Sequence, residues 1–406
     1  MVNQEWSLFR VFSITSLWWM ILFCLGGIAL YTIPFTNTFS NYALEQESTL
    51  PTWVKRWGNF DGGAYIIISE RGYKGVGLLQ AYFPVYPLVI GAVAAAISHF
   101  IPQTTVGLRN FQFIFSLSFS FVCSVFFFYI LNKYLALKYE LQQRKDIFIS
   151  FLFFPTAFFL HAIYTEALFL LLLIFCLYSY KKGWWLRLMG ALILLTATRI
   201  VGIFMIPALG FDFYLSKTHS FRLWDKLNTF SKHFWQFTAI SCGIFGLLSY
   251  MLYLYLTFGD PLYFFHVQSS FGAGRQQNLV PFLQVCWRYL KILWTARPFD
   301  WKYFAYVQEF VTTGVMLIFL LFGTIKKKAF KLSYAELAFS FGAFFLPTLT
   351  GNFSSMSRYV IVCLPIFFIL GQIFSQHKTV KIGYIVVCSV LSFINIMLFI
   401  QGHWVA

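Results

Sequence analysis

Long uninterrupted apolar runs constrain this chain most, because several of them exceed the roughly 18 residues that a helix needs to cross a bilayer. They recur from residue 14 to residue 402. Peptide groups in lipid must be hydrogen-bonded within a helix or a closed barrel, and these runs lack the period-two alternation of barrel strands. The sequence therefore predicts an all-α polytopic transmembrane helix bundle, organised as one domain over residues 1–406.

Composition agrees with this class. Hydrophobic residues make up 59% of the chain and charged residues only 11%, whereas soluble domains have roughly 25% charged residues. We predict about eleven spans, with ends uncertain by a few residues. They are 14–34, 83–101, 110–131, 147–160, 163–180, 186–215, 235–258, 303–325, 334–350, 357–375 and 382–402.

The net charge of +16 comes largely from connectors between the runs. The positive-inside rule therefore explains it better than nucleic-acid binding, and membrane lipids are the expected surroundings. The basic connectors, predicted to be cytoplasmic, are 133–146, 181–187, 217–232, 326–331 and 377–381. The less basic connectors, predicted to share the outer face, are 35–82, 161–166, 259–302 and 351–358.

This alternation of connectors fails at one place, because two spans between residues 83 and 131 give the wrong parity. It also requires the run 186–215 to dip into the membrane and return, or Arg199 to lie within the membrane. Irregular backbone is tolerated at membrane depth where it lines a cavity. We therefore predict that one of these two segments is re-entrant or broken.

The first outer connector contains the stretch WGNFDGGAYIIISERGY, residues 57–73. Its apolar residues Ala64, Ile67 and Ile68 lie on one face of a helix, which predicts an interfacial helix along the membrane surface. Asp61 would cap this helix. A cap alone is the structural alternative to a catalytic role, but the segment AYFPVYPL at 81–88 follows directly at a membrane entrance.

Other polar residues of the outer connectors and span ends are candidates for substrate binding: Tyr164, Glu166, Arg199, Asp260, His266, Gln268 and Arg358. Five of them have a structural alternative. Glu166 would suit a helix start or pair with Arg199, and Arg358 could snorkel to the interface. Asp260 would cap a helix with proline at its first position, and His266 could be an ordinary interfacial histidine.

The sequence lacks a phosphate-binding glycine loop and a dinucleotide-binding fingerprint. This argues against a nucleotide-sugar enzyme and an ATP-driven pump. No cofactor is predicted. A metal site is also unsupported, since His266 and Gln268 lie two residues apart and so on different helix faces.

Five segments in order resemble the GPI mannosyltransferase 2 (PIG-V) family and its bacterial relatives. They are FDGGAYIIISERGY with AYFPVYPL, FFPTAFFLHAIYTEALFLLL (153–172), ATRIVG (197–202), GDPLYFFHVQSSFG (259–272) and SMSRYVIVCLPIF (355–367). Asn59-Phe60 departs from the Arg-Trp more common in relatives. The resemblance implies a GT-C fold with interfacial helices in the first outer loop.

The resemblance further implies an inverting membrane hexosyltransferase that takes its sugar, most often mannose, from a polyprenyl-phosphate donor. Asp61 would be the base, a role that the chemistry of acceptor activation also requires of a carboxylate. The acceptor, a glycan, lipid or protein, and the linkage stay open. The sequence of residues 259–268 resembles the bacterial relatives, which favours a bacterial plasma membrane over the ER membrane. A transporter or flippase of a lipid-linked saccharide is the alternative.

Overall fold

The computed structural model describes residues 6–36, 48–74, 78–97, 105–217, 231–271, 275, 278–298 and 300–405. Within these ranges the regular structure is helical and contains no β-strand, which confirms the predicted all-α class. The helices in chain order are α1 (Leu8–Ala29), α2 (Thr52–Lys55), α3 (Asp61–Arg71), α4 (Val85–Ile97), α5 (Thr105–Ala136), α6 (Leu141–Leu152), α7 (Glu166–Lys182), α8 (Trp185–Thr198), α9 (Met205–Lys217), α10 (Phe234–Ser241), α11 (Ile244–Phe258), α12 (Tyr263–His266), α13 (Phe282–Thr295), α14 (Trp301–Ile325), α15 (Tyr334–Thr348), α16 (Met356–Tyr359), α17 (Leu364–Gln376) and α18 (Lys378–Ile400).

Six helical stretches in the described residues are long and apolar enough to cross a membrane, or seven if one pair bent by 79° is counted. They are Leu8–Ala29, Val106–Ala136, Ile200–Lys217, Phe234–Phe258, Trp301–Ile325 and Lys378–Ile400, with Met356–Val362 and Leu364–Gln376 as the bent pair. The chain thus has the character of an integral membrane protein. The larger count of about eleven crossings stays a prediction.

The helix α4 bears on the parity problem of the connectors. It has 13 residues in the described chain, which span about 20 Å. The hydrocarbon core of a bilayer is about 30 Å thick, so the described part of α4 is shorter than a crossing requires. If α4 does not cross the membrane, all the basic connectors lie on the same side of the membrane.

The run 186–215, one of the two segments of which one was predicted to be re-entrant or broken, is broken at Arg199. α8 ends at Thr198, and Arg199 has an extended backbone with φ −154° and ψ 143°. A 3-10 helix over Ile200–Phe204 then leads into α9. The break turns the Arg199 side chain away from the lipid-facing surface and towards α7.

The core is centred on α7, which is buried on all sides along most of its length. A helix that is apolar all round belongs in the interior of a bundle. α5 and α8 pack along it, while α6 packs on α17 and α1 on α18. The first residue of this central helix is Glu166, so the bundle interior presents a carboxylate at its outer end.

Candidate active site

Asp61 is the first residue of α3, and the preceding residue Phe60 has the left-handed φ of 58°. The expectation that Asp61 caps the helix was therefore wrong, because Phe60 occupies the N-cap position. A non-glycine residue at positive φ costs about 1–3 kcal/mol and persists only where the surroundings hold it. This backbone directs the Asp61 carboxylate away from its own helix.

Close packing of the chain around Asp61 explains why a glycine follows it at position 62. A Cβ on Gly62 would lie 3.2 Å from the carbonyl oxygen of Ile163. The Ile163 amide donates to the Trp57 carbonyl at 3.0 Å, and the buried Asn59 side chain donates to the Phe399 carbonyl at 2.8 Å. The first outer connector is thereby fixed against the segment before α7 and against the end of α18.

Asp61 and Glu166 form a cluster of four charges with Arg199 and Arg358. Arg358 Nη1 donates to Asp61 Oδ2 at 2.7 Å, and its Nε lies 3.4 Å from Glu166 Oε1. Arg199 Nη1 donates to the same Glu166 oxygen at 2.8 Å. We call these four residues the charged floor; with both carboxylates ionised, their charges sum to zero.

Strained backbone and aromatic rings position the Arg358 side chain. Ser355, which precedes α16, has a φ of 66°. The guanidinium lies over the rings of Tyr164 and Tyr359, at 5.1 Å from each centroid. Among the described residues, Phe60 and Ser355 are two of three non-glycine residues with positive φ. Strained backbone thus precedes both members of the Asp61–Arg358 pair.

Glu166 has one oxygen left for a ligand. Its side chain is 1% exposed, and Oε2 has no hydrogen-bond partner among the described residues. A buried acceptor without a donor costs about 1–3 kcal/mol, so such atoms are expected where a substrate or water completes the site. Glu166 also lines the main cavity of the molecule.

This cavity has a volume of about 1020 Å³ and opens above the charged floor. The Asp61 side chain is 26% exposed, so a ligand can reach it. Four further cations line the same cavity: Arg275, Arg288, Lys291 and Lys302. We call these four residues the cationic rim. The floor is therefore charge-balanced, whereas the rim carries the excess positive charge.

The helix α13 carries part of the rim and, beside it, an exposed apolar stripe. Leu283, Trp287, Leu290 and Trp294 recur at helical spacing and are 79%, 68%, 48% and 91% exposed. With 14 residues the helix is too short to cross a membrane. A short helix with exposed tryptophans and leucines beside cations is typical of the membrane interface.

Two tyrosines keep hydroxyl donors near Asp61. Tyr82 donates to Asp61 Oδ1 at 3.1 Å, and the Tyr65 hydroxyl lies 3.5 Å from Thr165 Oγ1. Burial, followed by the charge of Asp61, raises the pKa of both phenols well above the ordinary value. Both hydroxyls therefore stay protonated at neutral pH.

The remaining sequence-predicted residues are not members of the charged floor, although Tyr164 contacts it. Tyr164 is buried beneath Arg358 and donates its hydroxyl to the Asn59 carbonyl at 2.9 Å, so it supports the arginine and does not line the cavity. Gln268 lines the cavity and accepts from Arg275 Nη1 at 2.9 Å.

Asp260 and His266 form a separate pair near the surface. Their side chains are 32% and 47% exposed, and Asp260 Oδ2 lies 2.6 Å from His266 Nδ1. Asp260 Oδ1 also accepts from the Leu262 amide at 2.9 Å, but Leu262 is the N-cap of α12 and the helix has no side-chain cap, so the prediction that Asp260 caps it was wrong. Neither side chain lines the main cavity, so the structure does not place this pair with the other candidates.

Sequence reasoning missed Glu309, which lines the cavity from α14. It is 1% exposed and accepts from Tyr289 Oη at 2.6 Å, the Ser355 amide at 3.0 Å and Trp404 Nε1 at 3.2 Å. It was recognisable as the only carboxylate in the run 303–325, because an ionisable residue within a span is a functional candidate by default. Tyr82 gave no such signal among many aromatics.

The described residues contain no group of three or more histidines, cysteines, aspartates or glutamates that could hold a metal ion. Comparison of the chain with protein-family models, curated proteins and solved structures found no match.

Proposed function

We propose that this protein is an inverting hexosyltransferase of GT-C architecture that uses a polyprenyl-phosphate sugar as donor. The observation that carries the proposal is the Asp61–Arg358 pair at the floor of a cavity with a cationic rim. A base must face the acceptor and cations must face the leaving phosphate in such a transfer. Mannose is the sugar that the family resemblance favours.

Asp61 is the proposed base. In the transfer, an acceptor hydroxyl oxygen bonds to the anomeric carbon, the bond from that carbon to the phosphate oxygen breaks, and Asp61 takes the hydroxyl proton. Inversion follows from attack opposite the leaving group. Tyr82 and Arg358 each hold one carboxylate oxygen, at 3.1 and 2.7 Å, so both orient the base.

Glu166 is proposed to bind the sugar. Its Oε2 atom lacks a donor in the described structure and lines the cavity, so a sugar hydroxyl can supply one. Oε1 is held by Arg199 at 2.8 Å, which fixes the carboxylate plane. Hydrogen bonds that a hydroxyl donates to a charged group are worth about 1.5–3 kcal/mol each.

The phosphate is proposed to bind at the rim and not at the floor. Arg199 and Arg358 were among the sequence candidates for substrate binding, but both are paired with carboxylates. Arg288 and Lys291 of α13 and Lys302 of α14 supply the excess positive charge. The lipid chain of the donor would then lie beside the apolar stripe of α13, at the membrane interface.

We place the protein in a bacterial plasma membrane, with the cavity facing outwards and about eleven crossings. The acceptor is a glycan, lipid or protein. Because the four residues of the cationic rim attract anions, an acceptor with an anionic group would be favoured over a neutral one.

The test is transfer of radiolabelled mannose from polyprenyl-phosphate mannose in membranes that express the protein. Asp61→Asn should reduce transfer by at least about 10²-fold, the size of a general-base contribution. Glu140→Gln, an exposed carboxylate change outside the cavity, is the control and should retain transfer. Equal transfer by Asp61→Asn and wild type would remove Asp61 as the base. Absence of transfer by wild type, combined with movement of the intact lipid-linked sugar across the bilayer, would support a flippase instead.

A further inference from the structure

A second groove lies at the opposite end of α14 from the main cavity. Its volume is about 710 Å³, and it is lined by Ile325 at the end of α14, by Lys326, Lys327 and Lys328, by Phe211 of α9, and by Tyr334, Leu337 and Phe341 of α15. The main cavity includes Lys302 and Glu309 near the start of α14. A helix of 25 residues extends about 37 Å, so the two sites face opposite sides of the membrane.

The three lysines of this groove carry unbalanced charge. Within the described part of the chain, none of them forms an ion pair with a carboxylate. The two acidic residues of the adjoining helices are already engaged. Asp212 accepts from the Tyr334 amide at 2.9 Å and from the Tyr180 hydroxyl at 3.0 Å, and Glu336 is buried beside Lys138.

The walls of the groove are apolar and run into the membrane. Tyr334 begins α15 next to the lysines, with Lys327 Nζ 2.9 Å from its ring centroid. Phe341 lies seven residues further along the same helix, about 10 Å deeper. Phe211, on the facing helix α9, is 50% exposed. The groove thus has cations at the interface and an apolar wall below them.

We infer that this groove binds an anionic phospholipid from the inner leaflet, independently of the proposed transfer reaction. The phosphate would contact Lys326, Lys327 and Lys328, and one acyl chain would lie along Phe211 and Phe341. Each lysine near an anionic membrane surface strengthens the attraction to anionic lipid. A free phosphate compound would use the lysines but would leave the apolar wall uncovered, which favours a lipid as the occupant.

Native mass spectrometry of the purified full-length protein tests this inference. Phosphatidylglycerol and phosphatidylcholine with identical acyl chains are titrated separately, and the bound fraction is measured. Wild type should retain phosphatidylglycerol more tightly. The combined change Lys326→Gln, Lys327→Gln and Lys328→Gln should reduce this preference by roughly tenfold or more, from the loss of three interfacial charges.

The control variant combines Lys145→Gln, Lys182→Gln and Lys378→Gln, which remove equal charge from the same membrane face outside the groove. It should keep the wild-type preference. A Phe341→Trp variant, which fills the groove, should weaken retention with all lysines present.

Three results would overturn the proposal. They are equal retention of both lipids by wild type, equal loss in the control variant, and displacement of phosphatidylglycerol by millimolar glycerol phosphate. The last result would indicate a site for a soluble phosphate.

Discussion

The contact between Asp61 and Arg358 predicts a measurable coupling in a double-mutant cycle. Arg358→Met removes a guanidinium whose side chain is 7% exposed and leaves Asp61, 26% exposed, without its 2.7 Å partner. Breaking a fully buried pair costs about 3–5 kcal/mol. Because Asp61 is partly solvated, we expect a loss of about 3 kcal/mol in the free energy of unfolding.

Asp61→Asn should cost less, about 1–2 kcal/mol, because the amide oxygen still accepts a hydrogen bond and Arg358 keeps Glu166 at 3.4 Å. Contacting charged residues couple by about 0.5–3 kcal/mol. The double variant should therefore lose about 1–2 kcal/mol less of the free energy of unfolding than the two single variants lose together.

A second cycle provides the internal comparison. Glu166 lies further from Arg358 than Asp61 does and retains Arg199 at 2.8 Å. The coupling between Glu166 and Arg358 should therefore be smaller than that between Asp61 and Arg358.

The assay is SDS-induced unfolding in mixed micelles, followed by tryptophan fluorescence. A coupling between Asp61 and Arg358 below about 0.5 kcal/mol, the usual error of additivity, would refute the ion pair as an energetic unit. A larger coupling for Glu166 than for Asp61 would show that the charges are paired differently. Neither readout requires knowledge of the substrate.

Three further predictions concern other parts of the molecule. Glu309→Leu should lower the free energy of unfolding by at least about 2 kcal/mol, since three buried donors lose their acceptor; an unchanged value in SDS unfolding would contradict this. Gly246→Ala should lower the free energy of unfolding by about 1–3 kcal/mol, because the added Cβ would collide with the Ile193 carbonyl. Gly314 has open space around it, so Gly314→Ala should cause no loss in the same assay. The His266 hydrogen bond lowers the pKa of Asp260. The stabilising contribution of this hydrogen bond is therefore complete above the ordinary carboxyl pKa of about 3.9 and is lost as the pH falls through the lowered pKa of Asp260. Melting temperatures of wild type and Asp260→Asn should therefore converge towards pH 2.

Much of the fold could be predicted from apolar periodicity. Helices lie in all eleven predicted runs, and the break in 186–215 falls at Arg199. The number of crossings could not be read in the same way, because composition does not distinguish a buried short helix from a spanning one. α7 is as apolar as a span, yet it has 17 residues and is buried inside the bundle.

The candidate site was predictable in part for a physical reason. Charges in an apolar chain are few, so Asp61, Glu166, Arg199 and Arg358 stood out, and the structure brings these four together. The rim was not predictable, because basic residues of a long connector have no periodic signal that indicates which of them face a cavity. Asp260 and His266 were candidates for substrate binding as well, but their side chains do not line the main cavity, and sequence order does not indicate which side chains of a connector face a cavity.

The pairing within the floor has a consequence for the proposed reaction. Before transfer, Arg358 is neutralised by Asp61, so the floor neither attracts nor repels an approaching phosphate strongly. When Asp61 takes the proton of the acceptor hydroxyl, it loses its negative charge, and the floor then carries a net charge of +1. This charge arises as the phosphate leaves with its electron pair. Stabilisation that exists only in the transition state and beyond accelerates the chemical step, whereas equal binding of the substrate would not. Under this mechanism, Asp61→Asn would remove both the base and the change in charge.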